Sequence, residues 1–243
     1  MPGWFLAAAA LVSVFAGATA SVVGFGIGSL LTPLLATRMD LDLAVAAVAL
    51  PHLAAGLLRG WRLRGSVSVD VLRSFGVLSA AGGLAGALVF AHLAPAPLGR
   101  ILGALLLLTA TAAISGWTEA ATPGTAVVWI LGGLSGFFGG LIGNQGGLRA
   151  AALTALSLEP AAFVATSTVV GVMIDLVRTP VYLYREATRL PALAALCAVL
   201  TAGVLAGTLA GEHVLLGMSR ERFRGVVALA IGILGLWFLL RPA

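Results

Sequence analysis

The chain reads as an all-α polytopic membrane protein, with about eight transmembrane helices in two tandem repeats and the first segment of each repeat broken or re-entrant. Three observations predict this. The composition is 60% hydrophobic, with 32 glycines besides and only 9% charged residues in 243, and the mean hydropathy is +1.09. Soluble domains carry about 25% charged residues and keep a polar face on each surface helix, so the medium around these helices is lipid. The apolar runs are of membrane-spanning length, and the second half of the chain echoes the first.

The runs fall at 4–36, 43–58, 70–91, 98–115, 125–158, 161–177, 191–211 and 223–240. A crossing takes about 20 apolar residues at 1.5 Å each. The first and fifth runs exceed 30 residues and carry dense glycine inside them, which predicts a broken helix or a hairpin in place of one tilted rod. Trp4 to Phe15 followed by Ala18-Thr19-Ala20 has the outline of a cleavable leader. No basic residue precedes it and the segment has a counterpart later in the chain, so it is read as a helix of the fold.

A step of 119 superposes Gly17 on Gly136, Gly24 on Gly143, Gly28 on Gly147 and Arg59 on Arg178, nine identities in 43 positions. A step of 121 lays Ala81 to His92 over Ala202 to His213 with seven identities in twelve. The chain is therefore divided into a first transmembrane repeat, 1–116, a connecting loop, 117–124, and a second repeat, 125–243. A duplicated bundle with an interrupted first segment is the plan of secondary transporters, whose substrates bind between the repeats. If each long run crosses once, the arginine loops 59–64 and 178–189 share a side; if each is a hairpin, they face opposite sides.

Candidate site residues concentrate at the breaks. Gly143-Asn144-Gln145-Gly146-Gly147, closed by Arg149, cannot be a plain lipid-facing helix, since its glycines let the backbone unwind and its N–H groups approach a ligand. Gly24, Gly26 and Gly28 offer a second cradle. Thr166, Ser167 and Thr168 bring three hydroxyls into an apolar run, of which one or two can face the cradle while another bonds to backbone. These twelve residues form the expected substrate-binding set, with Arg149 the preferred anion contact.

The coupling or gating candidates are Asp175, Arg59, Arg178 and His52. Asp175 is the acid deepest in an apolar run and the candidate carrier of a coupling proton, and Arg178 follows it at ion-pair spacing. Arg59, with Arg62 and Arg64 near, is expected to anchor a cytoplasmic loop. His52, beside Pro51, is expected to make a polar contact at a kink. Glycines at four-residue spacing, as in Gly82/Gly86 and Gly203/Gly207/Gly211, are read as helix packing.

The net charge of +5 comes from 14 arginines against nine acids, with no lysine. The arginines form no run, which excludes a nucleic-acid footprint. No metal-ligand spacing and no nucleophile motif occurs, so neither an enzyme, a cofactor nor a metal is expected. Cys197, the single cysteine, is expected to be a small packed residue. The expected partners are a small anion, the lipid bilayer and a coupling proton, with a homodimer left open.

The run Gly24-Phe-Gly-Ile-Gly-Ser-Leu-Leu-Thr-Pro-Leu-Leu, its echo from Gly143 to Arg149 and the Ala165-Thr-Ser-Thr segment resemble the sulfite exporter TauE/SafE family of membrane permeases. The resemblance spans the whole chain. It implies transport of a small sulfur-containing anion, sulfite or an organosulfonate, across the cytoplasmic (inner) membrane by alternating access. The family commonly carries a proline after each glycine motif; Pro33 fits, whereas the second half has Ala152 there and Arg149 earlier. Other readings are a permease for another small anion such as a carboxylate, a non-transporting membrane assembly protein, and an ion channel.

Overall fold

The computed structural model describes residues 2–24, 26–93, 95–115, 125–143, 158–214 and 220–240, together with Gly146, Arg149, Leu153 and Leu156. Regular structure among them is helical throughout. The helices are α1 (Gly3–Val23), α2 (Ile27–Ala36), α3 (Leu41–Arg62), α4 (Val69–Phe90), α5 (Pro95–Ser115), α6 (Thr125–Ile142), α7 (Pro160–Arg185), α8 (Ala194–Val214) and α9 (Arg220–Leu240). Among the described residues, five helices are long and apolar enough to cross a membrane, and shorter apolar helices lie between them. The loop expected at 117–124 lies outside the described residues.

Both long runs break at a glycine in the left-handed region. Gly24 ends α1 at φ +83°, and Gly143 ends α6 at φ +74°. The chain turns back at each break. After Gly24 the backbone packs so closely on α1 that a methyl at Gly26 would lie 2.8 Å from Thr19 Cγ2, and α2 then brings Arg38 over the Trp4 ring at 4.8 Å, at the start of α1. Beyond Gly143, Leu153 belongs to the same buried apolar cluster as Val128, near the start of α6.

Helices α3 and α7 cross antiparallel in the middle of the bundle. Asp42 meets Arg185, His52 meets Asp175, and the Ser68 amide just beyond α3 meets Thr166. Arg189, beyond the end of α7, pairs with Asp40 at the start of α3. The arginine loops 59–64 and 178–189 therefore lie at opposite ends of the bundle, as two hairpins require.

Glycine lets the remaining helices touch backbone to backbone. A Cβ at Gly86 would overlap the Phe137 carbonyl, one at Gly136 the Ser79 carbonyl, and one at Gly140 the Gly83 carbonyl, which fixes α4 alongside α6. The same contacts hold α8 on α1. Gly17 meets Val204 as Gly136 meets Ser79, and Ser21 meets Thr208 as Gly140 meets Gly83. From 17 to 136 and from 21 to 140 is a step of 119, but from 79 to 204 and from 83 to 208 is a step of 125.

The sequence identities around Ala81 and Ala202 favour 121, one helical turn short of the step the contacts follow. Small residues recur every four positions on both helices, so two registers one turn apart match about equally well on sequence. The longer step arises before α8: α7 has 26 residues against 22 in α3, and the connection 186–193 is longer than 63–68.

Where α3 begins, the bundle end is tied by charge. Arg189 reaches Asp40, Asp42 and Glu186, and Arg185 donates to the Ala91 carbonyl. Burial and the neighbouring Asp42 push the Glu186 carboxyl above its ordinary value.

A substitution pair tests the close contact. Gly136→Ala is expected to destabilise the folded protein by about 1–3 kcal/mol through overpacking, whereas Gly133→Ala, three residues away with nothing within 4 Å of the added methyl, leaves stability unchanged or slightly raised. Thermal unfolding in detergent measures both.

Candidate functional site

A helix that stops inside the bundle leaves its last carbonyls without N–H partners. Each broken helix here receives an arginine from a crossing helix. Arg59 of α3 donates to the Ala20 carbonyl of α1, and Arg178 of α7 donates to the Gly139 carbonyl of α6 at 2.6 Å; the same carbonyls accept the Gly24 and Gly143 N–H at 3.0 Å, so each arginine is a second donor at the break. Both members of the contact recur after 119 residues. Tyr182, one turn beyond Arg178, adds its hydroxyl to the Gly140 carbonyl.

The arginines are inside the protein. Arg59 is 6% exposed, Arg149 2% and Arg178 1%. Arg59 was expected to anchor a loop; instead its guanidinium turns inward to the α1 terminus. An arginine at the centre of a bilayer costs about 3 kcal/mol or more, so each needs partners.

Arg178 has them. Its Nε and Nη2 lie 2.8 Å from Asp175 Oδ1, the intrahelical pair the spacing predicts. The other carboxylate oxygen, Oδ2, lies 2.6 Å from His52 Nδ1 on α3. His52 thus makes the expected contact beside a kink. Pro51 has no N–H for the Ala47 carbonyl, and the Cys197 thiol fills that place at 3.7 Å. This gives the buried cysteine its structural role.

Arg149 stands differently. The re-entrant segment carries it beside α7, where its Nε donates to Ser167 Oγ at 2.9 Å and its Nη2 reaches the Gly24 carbonyl at 3.5 Å. Its Nη1 is buried with no partner, next to the open Cα of Gly171. Thr168 Oγ1 and Thr32 Oγ1 are likewise buried and unpaired. Along the α3–α7 crossing the interior charges run Arg59, Arg149, the His52–Asp175 pair, then Arg178. Among the described residues, three guanidinium groups against one carboxylate leave positive charge in excess.

Most of the residues singled out from the sequence meet here. Gly24 lies 3.8 Å, measured from an added methyl, from Ser167 Oγ; Gly28 abuts the Gly143 carbonyl, joining the two breaks; Gly146 is buried. Thr166 does not face the cradle. It accepts the Ser68 N–H at 3.0 Å and ties α7 to the loop after α3, leaving Ser167 and Thr168 as the inward hydroxyls. Asn144, Gln145 and Gly147 lie outside the described residues. Tyr182 and Thr208 were missed by the sequence reading: a lone hydroxyl near the end of an apolar run gives no sign of which way it turns.

The family model for the sulfite exporter TauE/SafE family matches residues 9–238, nearly the whole chain. This chain belongs to the TauE/SafE family. No curated protein and no solved structure matches it. The TauE/SafE family consists of membrane transporters rather than enzymes, and a long-helix bundle with an interior cationic site agrees with an integral membrane protein of that kind.

The buried pair makes a stability test. Arg178→Met alone is expected to cost about 3–5 kcal/mol, because Asp175 then keeps its charge with one partner fewer. Adding Asp175→Asn to Arg178→Met is expected to restore most of the loss, and equilibrium unfolding of the single and double variants reads the difference. Strictly additive losses would contradict the pairing.

Proposed function

We propose that the protein is a secondary permease that moves a small sulfur-containing anion, of the sulfite or organosulfonate class, across the cytoplasmic membrane by alternating access. The observation that carries this reading is the unpaired Arg149 Nη1, buried between a helix break and the hydroxyls of α7. A sulfite or sulfonate group offers three acceptor oxygens. Arg149 supplies a charge-assisted donor, Ser167 and Thr168 supply hydroxyls, and the glycine breaks let backbone N–H groups come near.

The two hairpins hold the anion between oppositely directed halves, so rocking one half against the other changes which end is open. The ion pairs of Arg189 tie the bundle end where α3 begins, and opening that end would have to break them. Protonation of the His52–Asp175 pair is the coupling step in this reading: it alters the one negative charge facing three arginines, and so the affinity for the anion. A carboxylate would satisfy the same donors, and it serves as the competing substrate in the test.

Labelled sulfite flux from proteoliposomes, with and without an imposed pH gradient, tests the proposal. Saturable flux that the gradient changes is expected, with Arg149→Ala reducing it at least tenfold while the protein still folds. Transport of unchanged affinity in that variant would remove Arg149 from the site, and flux of a carboxylate but not of sulfite would overturn the substrate class.

A further inference from the structure

The crossing of α3 and α7 carries a charged pair on one side and a glycine pair on the other. Asp42 facing Arg185 and His52 facing Asp175 set an antiparallel register, and the same register places Gly56 of α3 opposite Gly171 of α7. The helices are close there, since a methyl at Gly56 would lie 2.8 Å from Val172 Cγ2. At the step of 119, His52 corresponds to Gly171 and Gly56 to Asp175. The glycine pair thus stands at the positions that correspond to the His52–Asp175 pair, with the side chains removed.

The guanidinium of Arg149 lies over one of those glycines. A methyl on Gly171 would stand 3.1 Å from its Nη1 and 3.6 Å from both Cζ and Nη2, so the head of the side chain, not its stem, meets α7 here. One turn back on the same face, Ser167 Oγ accepts the Nε–H at 2.9 Å; one turn on stands Asp175. The Nη2 contact to the Gly24 carbonyl is long, at 3.5 Å, and Nη1 has no partner. A single good hydrogen bond leaves the guanidinium free to turn about it, whereas two-pronged recognition of an oxyanion needs the plane of the fork fixed. Packing on α7 supplies what the hydrogen bonds do not.

Glycine inside a helix costs about 1 kcal/mol relative to alanine, and Gly171 lies midway along α7. Its contact with Arg149 gives that cost a reason. We propose that Gly171 is a positioning residue for Arg149: its bare Cα seats the guanidinium against α7 and fixes the plane in which the fork meets the anion. The inference rests on the permease reading for the anion, and on the glycine contact for the seat.

Half-saturation and maximal rate of labelled sulfite flux in proteoliposomes test it, with unfolding curves in detergent for every variant. Gly171→Ala is expected to raise the half-saturating concentration about tenfold and to keep the maximal rate within about twofold. Gly60→Ala, on the same crossing, adds a methyl that meets only Val169 Cγ2 at 3.7 Å and should change neither. The unfolding midpoint should fall in Gly171→Ala, yet rise when the same change is made in Arg149→Ala, where the methyl has room and α7 gains helix propensity. Should Gly171→Ala alone fail to fold, recovery of folding in the double variant supports the seat, and failure of the double variant overturns it. Unchanged half-saturation in Gly171→Ala beside lost transport in Arg149→Ala would overturn the positioning role and leave the permease reading. A fall in maximal rate and stability at unchanged half-saturation would do the same, because it reports packing only. Unchanged transport in Arg149→Ala, or no sulfite flux from folded wild-type protein, would sink the permease reading as stated and the role of Gly171 with it.

Discussion

In hydrocarbon no water is present to take the hydrogen bonds of a helix end, so a helix that stops there must be capped by the protein itself. That constraint organises this fold. α1 and α6 both end at a left-handed glycine inside the bundle, and the glycine N–H closes the last turn on the Ala20 and Gly139 carbonyls. Arg59 and Arg178 each add a second donor to those carbonyls from a crossing helix, and the Tyr182 hydroxyl takes the Gly140 carbonyl one residue further on. Capping a break with arginine draws charge into the interior, and the buried charge then shapes everything near it.

At the step of 119 the two stretches of sequence differ where the interior polar residues lie. The first half has Leu30, Ala47 to Ala49 and Gly56 at the positions where the second has Arg149, Thr166 to Thr168 and Asp175. The second half therefore supplies the interior guanidinium, the hydroxyls and the carboxylate. The first supplies the surfaces they act against: the Gly24 carbonyl, the close approach at Gly28, and His52.

Much of this was legible in the sequence because lipid leaves few choices. Apolar runs over 30 residues long with internal glycine have to break, and the step of 119 places Gly24 on Gly143 and Arg59 on Arg178. The pairing of Asp175 with Arg178 followed from spacing alone. What sequence did not carry was direction. Whether Arg59 turned outward to its arginine neighbours or inward to a helix end depends on where the break lies in space, and the same holds for Thr166 and Thr208. The register of α4 against α8 was misplaced by a turn because small residues at four-residue spacing fit two registers, and only the carbonyls they touch distinguish them.

The account turns on two oppositely directed hairpins, and the sidedness of the arginine loops tests that most directly. In a Cys197→Ser background, which keeps a donor for the Ala47 carbonyl, single cysteines at Arg64 and at Ala187 would be labelled in intact cells with a membrane-impermeant maleimide. Labelling of one position from outside, and of the other only after permeabilisation, is the result the account predicts. Equal accessibility of both from the same side would contradict it, and with it the interior charge arrangement built on the antiparallel crossing of α3 and α7.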